Sequence, residues 1–223
     1  VSVEGASERL EAAARERGLL WPVGSAERLA RYLAEVVRVS QEINLTAAKT
    51  LEQAVEVLGV PSLALGRAVP AEPAPRLVID LGSGNGMPGV VAALAWPTSW
   101  VLLIERRAKK ARAIQACTAA VGITNVEALP IDGRELLRER PKMRSAAQVV
   151  LARGVGTLAE VARIALPWLA RGGRLVQWKG AELEPAERRA GELVARRAEL
   201  KLQHDVVFDP PRPGPGRLVI YRR

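Results

Sequence analysis

Residues 78–89 read Val-Ile-Asp-Leu-Gly-Ser-Gly-Asn-Gly-Met-Pro-Gly, and they restrict the possible folds more than any other segment. A short apolar run that ends near an acid, Asp80, leads directly into Gly82, Gly84 and Gly86 at alternate positions and then into Pro88, which suits a first helical turn. Glycine lets the backbone turn sharply and lets a ligand lie directly on it. A strand that passes through such a loop into a helix is the opening half of a parallel βαβ crossover. The spacing is not the dinucleotide pattern G-x-G-x-x-G, because the last position counted from Gly82 is Met87.

The rest of the chain repeats this grammar. Strand-like runs at 76–81, 100–104, 125–129, 147–152 and 174–178 alternate with helix-like stretches at 87–95, 107–121, 133–140, 156–170 and 184–199. That alternation predicts an α/β fold whose parallel sheet is covered on both faces. Two final strand-like runs, 200–208 and 217–222, are joined by the turn-rich Asp-Pro-Pro-Arg-Pro-Gly-Pro-Gly and form a terminal antiparallel pair. Five parallel strands followed by a hairpin is the element order of a Rossmann-like class I methyltransferase, a seven-stranded, mostly parallel sheet. Upstream, helical periodicity covers Ser7–Gly18 and Ser25–Glu42, with Ser25 as N-cap, and a third stretch from Thr50 to Ala68 is interrupted by Gly59 and Pro61. Residues 69–76 hold three prolines and read as a linker. The expected organisation is a helical extension over 1–68, the linker over 69–76 and the α/β domain over 77–223.

Composition narrows the class. The 223 residues are 48% apolar and 26% charged, with mean hydropathy near zero, as expected of a soluble globular protein. No apolar run reaches the roughly 20 residues of a membrane span, and the N-terminus shows no signal pattern, so a cytoplasmic location and no membrane partner are expected. One cysteine, Cys117, rules out an internal disulfide framework, and one histidine, His204, leaves too few soft ligands for an ordinary zinc site, so no metal is expected. The net charge is +9, but 27 of the 33 cations are arginine in a chain rich in Ala, Gly and Pro. Position is more informative than total charge: residues 1–80 carry nine basic and eleven acidic side chains, and the whole excess lies downstream.

Asp80, at the carboxyl end of its strand, suits a positively charged ligand group such as an α-ammonium rather than a pyrophosphate. Glu105 ends the next strand, where a carboxylate can accept hydrogen bonds from both hydroxyls of a ribose. With the glycine loop, including Ser83, the two acids fit S-adenosyl-L-methionine as cofactor. At the end of the third strand, Asp132 or the amides of Gly133 and Arg134 are candidates for the adenine edge, and Asp132 is equally suited to cap a helix.

The chain resembles the bacterial 16S ribosomal RNA guanine-N7 methyltransferase family (RsmG, or GidB) over roughly residues 25–222. The matching pieces are Asn44-Leu45-Thr46, the block from Asp80 to Gly89, an acid followed by Lys109-Lys110, Ala152-Arg153-Gly154-Val155, Lys179-Gly180, and a closing Leu218-Val219-Ile220. The resemblance implies a methyltransferase domain over 77–223 and a guanine of small-subunit rRNA, in 16S rRNA or the 30S subunit, as substrate. It also implies cofactor contacts from Gly82, Met87, Gly133, Arg134 and Arg153. The sequence departs from the family's usual H-x-x-D-S pattern, with Leu58 and Pro61 where the His and Asp would fall, and has Met87 where Phe is common.

Guanine N7 carries a free lone pair, so attack on a sulfonium methyl needs no general base, only in-line proximity and a suitable electrostatic cradle. Lys179 and Arg153 are the candidate catalytic residues, orienting the base through O6 or holding its phosphate. Arg106, Arg107, Lys109, Lys110 and Arg112 follow the ribose acid and would meet RNA phosphates. Two other readings are compatible with the same sequence: a divergent homologue that binds cofactor or ribosome without catalysis, and a methyltransferase acting on another RNA or on a small molecule.

Overall fold

The computed structural model describes residues 1–70, 72–208 and 216–223. Seven strands form one sheet in the order β3-β2-β1-β4-β5-β7-β6. They are β1 (Leu77–Leu81), β2 (Trp100–Ile104), β3 (Val126–Leu129), β4 (Ala147–Arg153), β5 (Leu169–Gly180), β6 (Lys201–Phe208) and β7 (Gly216–Arg222). β1 to β5 pair in parallel; β7 runs antiparallel between β5 and β6. The predicted fold class holds, with strand bounds within a few residues except at β5. The turn that joins β6 to β7 lies at 209–215, and one linker residue is 71, both outside the described residues.

Alternation along the strands sorts side chains into two cores. Val78, Val101, Leu103, Val149, Leu151, Val176, Leu218 and Ile220 face one core, and Ile79, Leu102, Ile104, Val150, Leu175, Val219 and Tyr221 face the other. On the first face lie α6 (Gly89–Ala95) and α7 (Ala108–Ala120), together with the N-terminal helices α1 (Val3–Glu16) and α2 (Ser25–Val39). The second face is covered by α8 (Leu136–Glu139), α9 (Leu158–Ala165) and α10 (Pro185–Arg197). Leu10, Leu29 and Leu33 share a single buried cluster with Val90 and Ile114, so the N-terminal helices complete the first core. Among the described residues no helix is long and apolar enough to cross a membrane.

Three local expectations change. The N-cap of α2 is Gly24, in the left-handed region, and Ser25 is the first helical residue; its hydroxyl donates to the Leu94 carbonyl of α6 at 3.4 Å. The stretch 50–68 is broken as expected, but by a π-helical turn over Val55–Gly59, flanked by α3 (Leu51–Ala54), α4 (Val60–Ser62) and, beyond a turn, α5 (Leu65–Ala68). The helix expected over 156–170 stops at Ala165. Pro167 has no amide with which to continue it, and Trp168, 2% exposed, packs against Gly133 instead.

Candidate active site

The carboxyl ends of β1, β2, β3, β4 and β5 bring Asp80, Glu105, Asp132, Arg153 and Lys179 to one edge of the sheet, where ligands bind in open α/β folds. The glycine loop sits at the centre of this edge. Gly82 and Ser83 donate their amides to the Ile104 carbonyl at 2.9 and 3.0 Å, which seats the loop on the end of β2. Gly82, Gly84 and Gly86 all have φ between +56° and +86°, a region that side chains disfavour. Gly86 is the most constrained, because a Cβ there would stand 2.2 Å from the Tyr32 hydroxyl oxygen. Tyr32, on α2, is fully buried and donates to the Asn85 carbonyl at 2.9 Å. Sequence reasoning missed this support. Tyr32 lies on the apolar stripe of its helix and carries no local sign of a polar partner.

Asp80 is 1% exposed. Its Oδ2 accepts from the Gly89 amide at 2.9 Å, at the start of α6, while its Oδ1 has no partner among the described residues. Burial pushes its carboxyl up to about 7, against the opposing pull of the Gly89 amide and the Arg153 guanidinium. In the loop, Ser83 Oγ is likewise buried without a partner among the described residues. Buried groups of this kind are costly unless something satisfies them. Glu105, 7% exposed, accepts from the Gly84 amide at 3.2 Å and the Arg107 amide at 2.8 Å. Its carboxylate is thereby fixed beside the loop with lone pairs to spare.

Asp132 caps the 3₁₀ turn Gly133–Glu135, accepting from the Arg134 amide at 2.9 Å. Gly133 packs so closely on Leu81 that a Cβ would come within 2.5 Å of its Cδ1. Gly133 and Arg134 line a cavity of about 370 Å³ with Glu160, Ile164 and Trp168. Met87 is 3% exposed, and its side chain belongs to the core shared with the N-terminal helices, so it does not form an open pocket wall.

The two candidate catalytic cations are engaged within the protein. Arg153 donates to the carbonyls of Val57 and Leu58 and, at 2.9 Å, to Ser62 Oγ. It thereby clamps the π-helical turn to the end of β4, and burial lowers its pKa to about 10. Leu58 and Pro61, the two departures from the family pattern, contribute through their backbones: the Leu58 carbonyl accepts from Arg153, and the Pro61 carbonyl from the Trp178 indole at 3.0 Å. Trp178 is accordingly buried packing. Lys179 Nζ lies 2.6 Å from both the Glu187 carboxylate and the Gly156 carbonyl, and its side chain is 14% exposed. Arg106, Arg107, Lys109 and Arg112 are exposed around the start of α7, Lys110 is half-buried, and none forms an ion pair among the described residues. The Cys117 thiol, raised to about 11 by burial, is a core group rather than a nucleophile.

A model of the family described as rRNA small subunit methyltransferase G matches residues 25–206. The ribosomal RNA small subunit methyltransferase G of Deinococcus deserti is 34% identical over 223 residues, spanning 96% of this chain and 86% of the relative. That of Myxococcus xanthus is 30% identical over 198 residues, spanning 88% and 86%. Among solved structures, a geranyl diphosphate methyltransferase in complex with GPP and sinefungin superposes with a TM-score of 0.63 at 13% identity, covering 86% of this chain and 99% of that one. Aeropyrum pernix fibrillarin, with natively bound S-adenosyl-L-methionine, gives 0.55 at 15% identity, covering 69% and 68%. These structural likenesses concern the fold alone.

Proposed function

Because the chain belongs to the rRNA small subunit methyltransferase G family, we propose that it methylates N7 of a guanine in small-subunit (16S) rRNA, using S-adenosyl-L-methionine in the cytoplasm. The observation that carries this reading is the buried carboxylate of Asp80, with one oxygen unpartnered beneath a left-handed glycine loop at the sheet's carboxyl edge. S-adenosylmethionine would supply an electrophilic methyl on a sulfonium. The residues fit such a ligand: Asp80 Oδ1 and Ser83 Oγ need partners, Gly82, Gly84 and Gly86 present no side chain to obstruct close approach, and Glu105 is held ready for a vicinal diol. The Asp132–Arg134 turn would meet the adenine edge.

The protein's part in the chemistry is placement. Guanine N7 is unprotonated and nucleophilic, so no side chain need take a proton. In-line positioning and exclusion of water account for the rate, a contribution of about 7–11 kcal/mol in favourable cases. Arg153 and Lys179 would contact the base or its phosphate only by exchanging their present partners at Val57, Leu58, Ser62, Gly156 and Glu187. The exposed Arg106, Arg107, Lys109 and Arg112, with Lys110, would bind the phosphates that flank the target.

The test is incubation with labelled S-adenosylmethionine and unmodified 30S subunits, followed by borohydride–aniline cleavage mapping. One labelled 16S guanine is expected. Cofactor binding without transfer, or label confined to another substrate, would overturn the reading.

A further inference from the structure

Three cations stand side by side on adjacent strands at the opposite end of the sheet. Arg174 of β5 pairs with Arg222 of β7, and Arg222 pairs with Lys201 of β6. Residues in register project to the same face, and like charges directly opposite one another destabilise a sheet. Among the described residues none of the three forms an ion pair. Arg174 is partly buried, and its pKa is lowered by desolvation and by the neighbouring Arg222.

The row lies in a groove. A cavity of about 600 Å³ runs between the proline-rich segment and the sheet, lined by Glu72, Pro73, Arg76, Arg171, Arg174 and Arg222 among others. A second, of about 670 Å³, continues it past Glu199 and Lys201. The two share Arg171, Gly172 and Arg222. Arg222 reaches over Gly172, where a Cβ would sit 3.7 Å from the guanidinium, so the bend in β5 leaves room above it. The groove is open and elongated, and the cations Arg76, Arg171, Arg174, Lys201, Arg222 and Arg223 outnumber the acids Glu72 and Glu199 that also line it. Such a surface matches a phosphodiester backbone.

We propose that this groove, with Arg171, Arg174, Lys201 and Arg222 as its cations, is a second RNA-backbone site that holds a segment of the substrate rRNA remote from the target base. The inference rests on the rRNA methyltransferase reading. The groove adjoins Val149, near the start of β4, whereas Arg153 stands at the end of that strand beside the cofactor loop. At about 3.3 Å per residue the two sites are at least roughly 13 Å apart. A single folded RNA can span that distance, and a lone nucleotide cannot. The site would add affinity and register without touching the reacting atoms.

The experiment compares the parent chain with the triple variant Arg174→Gln/Lys201→Gln/Arg222→Gln, and with Arg171→Gln, which leaves both cross-strand pairs intact. Binding to unmodified 30S subunits is measured across a salt series, with S-adenosylhomocysteine affinity as control. For the triple variant, the slope of log K against log salt should fall in magnitude by about 2–3, with at least about tenfold weaker binding at moderate salt and unchanged S-adenosylhomocysteine affinity. Arg171→Gln should reduce the slope by about 1. Parent-like binding and slope in both variants would overturn the groove while leaving the methyltransferase reading intact. Failure of the parent chain to bind the subunits would overturn both. Loss of binding to phosphatidylglycerol vesicles, with 30S binding unchanged, would assign the groove to a membrane surface and overturn the RNA proposal.

Discussion

The Tyr32 hydroxyl donates to the Asn85 carbonyl across 53 residues of sequence, tying the second N-terminal helix to the centre of the glycine loop. The bond is fully buried on the tyrosine side, and the ring packs where a side chain at position 86 would have to go. Tyr32→Phe leaves the Asn85 carbonyl without this donor. It should cost about 1–2 kcal/mol in denaturant unfolding and weaken S-adenosylhomocysteine binding by calorimetry. Gly86→Ala adds both a clash with Tyr32 and a disfavoured backbone and should cost more, about 2–4 kcal/mol.

Asp80 makes stability and ligand affinity depend on pH in opposite directions. Its carboxyl titrates near 7 in the fold, against an ordinary value of 3.8. Between those values the folded chain holds a proton that the unfolded chain has lost. Its contribution to stability is therefore complete below about pH 4 and is lost as pH rises toward 7, with a ceiling of about 4 kcal/mol. Asp80→Asn should flatten that part of the stability profile. A cationic ligand group favours the carboxylate instead, so S-adenosylhomocysteine affinity should rise with pH through about 7. Calorimetry near pH 6, below the folded pKa of Asp80, in buffers of different ionisation enthalpy should detect a released proton, and no proton release there would rule out an ionised Asp80 in the complex.

Arg153 supports the π-helical turn with a planar fork that reaches two carbonyls and a hydroxyl. Lysine keeps the charge but cannot reproduce that geometry. Arg153→Lys should destabilise the chain by about 2–3 kcal/mol and increase hydrogen exchange at residues 55–62 before exchange elsewhere in the sheet. Ser62→Ala removes one partner and should show a smaller effect in the same place.

Glu105→Gln tests the ribose acid. An amide nitrogen in place of either oxygen would face a backbone N–H, from Gly84 or from Arg107. Two donors cannot pair, so cofactor affinity should fall about tenfold or more, with less than about 2 kcal/mol lost in stability.

Much of this architecture was legible from local pattern. Val78 to Leu81 and Val101 to Ile104 are short apolar runs, each followed by a helix, and their alternating side chains do separate into the two cores. The glycine loop was legible because its backbone conformation leaves few alternatives to glycine. Relationships between distant segments were not. That Arg153 would be held by Val57 and Leu58 follows from where the π-helical turn packs, and no spacing in the sequence records it. Lys179 looked like a cation at an open edge until Glu187, from the following helix, folded back onto it. The row formed by Arg174, Lys201 and Arg222 is visible only once β7 is placed between β5 and β6.

That placement also bears on how the chain is made. β7 is the last of the seven strands to be synthesised, yet it is an interior strand, and among the described residues β6 has no other neighbour in the sheet. Until β7 arrives, β5 presents an unpaired edge and β6 has nothing to pair with, a condition in which strands join the wrong partner. Translation must therefore deliver one of the sheet's inner members last, and a nascent chain stalled before residue 216 would carry its cofactor loop on an unfinished, adhesive sheet.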